Sequence, residues 1–311
     1  MSTSPIDAPP ADGGDHLIHA LAADGRLRAL AVVSTKTAEE ARRRHDLYPT
    51  PAAALGRALS GVALMGAALK EQQQISVQFE GDGPLGKLTA VAEHDLAVRG
   101  FVAHPHVLLP LSARGKLDVG RAIGRGQLHV IRQIGRSEPY RGTVPIVSGE
   151  IAEDLAYYHL HSEQQPTIMS LGVLVDPDGS VRASGGFMVQ LLPGGDEERI
   201  DELVAELERR AQAMPAISRL FDAGEAPSAV LRELLAPFGL RELERRAVRF
   251  GCRCSRERFS AALVGLGAGE LQDMIDEQDG AELICRFCGE VYRYNEGELR
   301  DLIELARRPV H

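Results

Sequence analysis

Hydrophobic and polar positions change character three times along the chain. Leu27–Val33 is an aliphatic run that reads as a strand, residues 37–45 are charged at helical spacing, and residues 50–70 form a long alanine-rich helix. From residue 75 the pattern shortens to strand-like runs at 75–79, 87–92, Ala97–Val102, 128–134 and 142–147. A helix is expected at 150–161, and strands at Thr167–Val175 and 186–192 close this region. The sequence thus predicts an α+β domain with antiparallel sheets over residues 15–193, preceded by a Pro-, Gly- and Asp-rich stretch, 1–14, expected to be a disordered tail.

Residues 194–249 read differently. Ile200, Leu203, Val204 and Leu207 repeat at helical spacing within 196–213, and Pro215, Pro227 and Pro237 then cut the chain into short helical pieces. From 196 to 249 there are 12 acids and nine arginines against few large apolar residues, so the segment is expected to bury little and to be marginally stable by itself. Two readings stay open: a plain solvated helical linker, or a metastable one meant to come undone. The remaining residues, 250–311, hold all the cysteines and form a small third region.

Composition narrows the function. A 311-residue chain with 44% hydrophobic and 25% charged residues fits about two soluble globular domains, and a net charge of −9 offers no attraction to nucleic acid or an anionic membrane. Residues 50–70 carry Arg57 and Ser60 and are mostly Ala and Gly, which suits a closely packed buried helix better than a membrane span. Residues 1–10 lack the basic and apolar segments of an export signal, so a cytoplasmic protein is expected. Gly81-Asp82-Gly83-Pro84-Leu85-Gly86 matches a dinucleotide fingerprint, but a second strand rather than a helix follows it, and Asp-Gly is turn chemistry, so a hairpin is expected. His104, His106, His159 and His161 have no ligand-spaced partners and read as packing residues. No nucleophile elbow, Ser-His-Asp signature or P-loop is present, so the chain does not read as an enzyme.

The chemistry lies in four cysteines, Cys252, Cys254, Cys285 and Cys288, the only ones in the chain. Two short chelating loops joined by an intervening segment suit a tetrahedral Cys₄ zinc site, one ion per chain. A Cys-x-x-Cys redox motif would instead open a helix after a βαβ unit, and that context is missing. The close spacing within each pair also leaves each half free to close on itself. Arg253, Arg286, Arg256 and Arg258 lie in or beside the loops, where they either favour thiolates or are merely solvated.

The runs Phe250-Gly-Cys252-Arg-Cys254-Ser-Arg-Glu-Arg258, Ala262-Leu-Val-Gly-Leu-Gly267 and Glu282-Leu-Ile-Cys285-Arg-Phe-Cys288 resemble the redox-regulated chaperones of the heat-shock protein thirty-three family. The resemblance extends over about residues 15–306, through the 81–86 hairpin, Tyr140-Arg-Gly-Thr-Val144, and Gly185-Gly-Phe-Met-Val-Gln-Leu-Leu-Pro193. It implies an ATP-independent holdase of the heat-shock and oxidative-stress response. The reduced zinc-bound form would be inactive; oxidation would form Cys252–Cys254 and Cys285–Cys288 disulfides, release zinc, unfold the C-terminal region and expose surface for unfolding client proteins. It further implies a homodimer when oxidised. Two other classes are weighed against this. A zinc-ribbon nucleic-acid or partner-binding module would need a basic zinc region, whereas 249–300 carries seven arginines against ten acids. A thiol oxidoreductase would turn over substrate disulfides without zinc.

Overall fold

The helix predicted from the alanine-rich run is the centre of the larger of two compact units. In the computed structural model, which describes residues 13–307 except 136, 194–196 and 279, every residue from Thr50 to Gly66 is buried save Arg57. Residues 1–12, most of the expected tail, lie outside the described residues. Small side chains let neighbours close on this helix: a Cβ on Gly61 would stand 2.6 Å from Leu155 Cδ1. Arg57, its one half-buried charge, meets Glu150 at 2.5 Å. Among the described residues no helix is long and apolar enough to cross a membrane.

The chain divides into two compact units, Met1–Gly251 and Cys252–His311. The first begins with strands β1 (His16–Ala22) and β2 (Leu27–Val33), helices α1 (Thr35–His45) and α2 (Pro49–Gly66), and strands β3 (Gln73–Gly81), β4 (Lys87–Glu93) and β5 (Ala97–Val102). It continues through α3 (Val119–Ile123), β6 (Gly126–Ile134), β7 (Tyr140–Pro145), α4 (Ala152–Ser162), β8 (Thr167–Val175) and β9 (Val181–Leu191). Helices α5 (Glu197–Ala213), α6 (Ile217–Asp222) and α7 (Pro227–Leu234) follow, then β10 (Leu240–Ala247) and β11 (Arg249–Phe250). A five-stranded sheet runs β10-β1-β2-β9-β8 and a six-stranded sheet runs β11-β5-β4-β3-β6-β7, antiparallel except for the β11–β5 pair. Helix α2 packs on strands of both sheets. The turn at 81–86 joins β3 to β4 as antiparallel neighbours, so no helix opens there to cradle a phosphate.

The charged segment after residue 194 puts its few apolar side chains on one sheet face. Ile217, Phe221, Val230, Leu231, Leu234 and Leu235 are buried against Ile18, Ala29, Ala31, Phe187 and Val189, a second core on the face of the five-stranded sheet. Glycines notch that face: a Cβ on Gly185 would stand 2.4 Å from the Phe221 ring, and one on Gly172 would stand 2.7 Å from Ile217 Cγ2. Side chains at 197–200, including Ile200 of the expected helical stripe, lie outside the described residues.

Beyond Pro237 the chain does not continue as a helical piece. Gly239 takes φ +63°, and Leu240–Ala247 pairs with β1 as an edge strand. Its alternation is masked because charges occupy both faces, a common protection of exposed edges. Two residues of β11 then lie parallel to β5. Arg246 donates to the carbonyls of Ala67 and His94, and Arg249 meets Asp95 at 2.6 Å.

Burial pulls the Asp95 carboxyl upward, but Arg249 and the Ala97 amide outweigh it, and its pKa falls below the ordinary value. The folded pKa is therefore depressed, so the contribution is full above the unfolded value of ~3.9 and is lost as pH falls through the folded one. Both partners are substantially exposed, which limits the pair to about 0.2–1 kcal/mol. Asp95→Asn is expected to cost that much at neutral pH and nothing once both forms are protonated, a difference read by denaturant melts across acid pH.

Candidate metal centre

The second unit consists of α8 (Arg256–Leu266), α9 (Ala268–Gln278), the hairpin β12 (Gly280–Ile284) and β13 (Val291–Asn295), and α10 (Glu296–Ala306). Its core is small: Leu263, Leu271, Ile275, Tyr294, Leu299, Leu302 and Ile303. Local chemistry sets each element. Ser255 caps α8 by accepting from the Arg258 amide, and Asn295 with Glu298 forms a reciprocal capping box on α10.

The same local rules deliver the sulfurs. Cys252 and Cys254 lie in the irregular approach to the α8 cap, while Cys285 and Cys288 occupy the turn of the β12–β13 hairpin. In that turn the Cys285 amide donates to Glu290 O at 2.9 Å, and the Gly289 amide donates back to Cys285 O at 2.8 Å. Gly289 takes φ +72°, a left-handed step that a side chain would resist. The four Sγ atoms lie within 4.8 Å of one another. Cys252 Sγ is 3.7 Å from Cys285 Sγ, and Cys254 Sγ is 3.3 Å from Cys288 Sγ. All four are free thiols, Cys285 and Cys288 buried and the other two half-buried.

These distances suit a metal. Four sulfurs at ~2.3 Å from a tetrahedral zinc ion stand about 3.8 Å apart, whereas a disulfide needs about 2.05 Å. The electrostatics agree. Burial pushes the Cys252 thiol up to about 11 and raises Cys288 as well. Cys254 goes down despite its burial, because Tyr292 Oη and the neighbouring thiols donate to it. Thiolates crowded in a half-buried space disfavour one another, and a dication is the charge that would let all four ionise. The four cysteines could therefore hold a metal ion.

Tyr292 was not singled out by the sequence. Its hydroxyl donates to Cys254 Sγ at 3.2 Å, and its ring lies 4.7 Å from that of Phe259. The signal was strand alternation: Tyr292 and Tyr294 share one face of β13, the first turned to the sulfurs and the second to the core. Arg256 and Arg258 bind backbone and carboxylate groups. Arg256 meets Glu298 at 2.6 Å and stacks on Tyr294, and Arg258 donates to Arg253 O at 2.8 Å. The singled-out histidines lie elsewhere: His104 meets Pro84 O, His106 meets Asp46, and His159 is buried in the first unit.

Comparison with known proteins now bears on this centre. The family model described as "Hsp33 protein" matches residues 15–295. The 33 kDa chaperonin of Oceanobacillus iheyensis is 47% identical over 93% of this chain and 99% of its own. That of Geobacillus kaustophilus is 44% identical over 95% of this chain and 99% of its own. The crystal structure of the 33 kDa chaperonin from Thermotoga maritima superposes with a TM-score of 0.86 at 38% identity, covering 94% of this chain and 98% of that one. The match spans both sheets, the helical segment and the cysteine unit together, and on that ground the chain belongs to the Hsp33 family.

Proposed function

We propose that this chain is a chaperone of the holdase type, ATP-independent and cytoplasmic, held inactive while Cys252, Cys254, Cys285 and Cys288 are reduced and bind one zinc ion. The observation that carries the reading is the four-sulfur cluster, whose members approach to within 4.8 Å although they come from two separated loops. The names of the relatives support the chaperone role. Zinc bound there would supply the charge that keeps four thiolates together and would tie the α8 cap to the hairpin turn.

Each oxidation consumes two thiolates. A thiolate of one pair attacks peroxide, giving a sulfenic acid and hydroxide; its neighbour then displaces hydroxide to form the disulfide. Two peroxides bridge both pairs, and no thiolate then remains to bind a cation. We assign the bridges to Cys252–Cys254 and Cys285–Cys288, as the family resemblance implies, and because sequence neighbours stay close when the unit loosens. Sulfur contacts of 3.7 and 3.3 Å also cross between the loops, as a tetrahedral cluster allows.

Loss of the C-terminal unit frees the chain end that leads into β11 and β10. Residues 194–249 then act as a metastable linker, and its release bares the apolar sheet face around Ala29, Ala31, Phe187 and Val189. Exposed apolar area of that kind binds unfolding proteins, and a second oxidised copy would form the homodimer. Purified reduced protein is expected to carry one zinc per chain, to release it on peroxide treatment, and only then to suppress aggregation of a heat-unfolded client. Equal suppression by the reduced, zinc-loaded protein would rule out the switch.

A further inference from the structure

Polar groups with no part in the sulfur chemistry gather in the first unit. Arg28 on β2 and Gln190 on β9 are direct cross-strand partners, so their side chains leave the five-stranded sheet on the same face. Gln190 Nε2 donates to Gln165 Oε1 at 3.1 Å and stands 3.5 Å from His159 Nδ1 on α4. From the six-stranded sheet, Arg132 on β6 reaches to 3.6 Å from Glu163, whose carboxylate also accepts from Tyr158 Oη at 2.6 Å. Arg28, Arg132, His159 and Glu163 are near enough that their charges act on one another.

Three nitrogens of this cluster are buried and have no hydrogen-bond partner among the described residues: Arg28 Nε, Arg132 Nε and His159 Nε2. The Gln190 amide nitrogen faces His159 Nδ1, so that ring nitrogen accepts and the proton sits on Nε2. All three orphans are therefore donors. Burial, with Arg132 and Arg28 adding to it, lowers His159 to about 4 against the pull of Glu163, so the ring is neutral at neutral pH. Burial and the Arg132 charge also push Arg28 down. Glu163, the carboxylate that Arg132 approaches, already serves Tyr158. Buried donors without acceptors are costly, and a guanidinium is best satisfied by the oxygens of an anion.

We propose that Arg28, Arg132 and His159 form a binding site for a small oxyanion of the phosphate class. The anion would bridge the two sheets by accepting from Nε of each arginine and from Nε2 of His159. The Arg132 side chain, 38% exposed, marks the open side, and His159, 3% exposed, marks the floor. Three N–H donors match the oxygens of one phosphate group and supply nothing for a nucleoside.

The test is isothermal titration of the zinc-loaded full chain with inorganic phosphate against sodium chloride of equal ionic strength, with ATP as a second arm. Saturable binding of one phosphate per chain is expected, with ATP no tighter. Arg28→Gln and Arg132→Gln should each weaken it roughly tenfold or more, the effect of losing a charged hydrogen bond. In the unsubstituted protein the ¹⁵N resonance of His159 Nε2 should move on phosphate addition. No saturable phosphate binding, binding undiminished in both variants, or an unmoved His159 resonance at saturation overturns the proposal. ATP binding tenfold tighter than phosphate overturns it in favour of a nucleotide site.

Discussion

Replacing Cys288 with serine is expected to weaken zinc binding roughly 100- to 1000-fold, so that a chelator strips the metal and unfolds residues 252–311 at a concentration the unsubstituted protein withstands. Zinc in small structural sites contributes ~10–16 kcal/mol to folding, so one ligand of four is worth about 2.5–4 kcal/mol. A unit of this length has only ~3–9 kcal/mol of net stability at ordinary per-residue values. Its core, seven buried side chains among the described residues, gives no reason to place it higher. Loss of metal therefore exceeds what the rest of the unit supplies. Competition with a chelator reads the affinity, and hydrogen exchange over 252–311 reads the fold. Full zinc stoichiometry at undiminished affinity would show that Cys288 is not a ligand.

The second large effect lies in the first unit. Phe221→Ala empties the notch over Gly185 and removes the ring that holds α6 on the sheet. A buried Phe→Ala change costs about 3–5 kcal/mol, which in a unit of this size lowers the melting temperature by roughly 6–20 °C. If the helices after residue 194 cover the client-binding face, this variant should also suppress client aggregation while still reduced and zinc-loaded. A variant that melts early yet stays inert in the reduced state would exclude that face as the binding surface. Calorimetry and a light-scattering assay on one preparation separate the two outcomes.

Much of the fold was legible because most strands and helices have one-sided patterns. Leu27–Val33, Ala97–Val102 and Thr167–Val175 form strands over the expected residues, and the Asp82-Gly83 turn is a hairpin. The cysteine cluster was legible because its four sulfurs come from two short loops whose close spacing stands in the chain. Other features carried no such mark. β1 mixes histidines with alanine and leucine, and β10 bears charge on both faces, so neither shows clean alternation. Ile217, Leu220 and Phe221 make an apolar patch only one turn long, and what Ile217 and Phe221 bury against depends on glycines far away in sequence. The Tyr292 hydroxyl and the unpartnered nitrogens of Arg28, Arg132 and His159 emerge only when distant strands meet.

The span Leu240–Phe250 covers the outer row of one large sheet with β10 and of the other with β11. The backbone groups of β1, and those of β5 at Ala97 and Val98, are thus paired by a single stretch of chain, so their exposures are linked. A protein with separate covers could bare either row independently. Here a tug on one short ribbon uncovers both together, which favours an all-or-none release over a graded one.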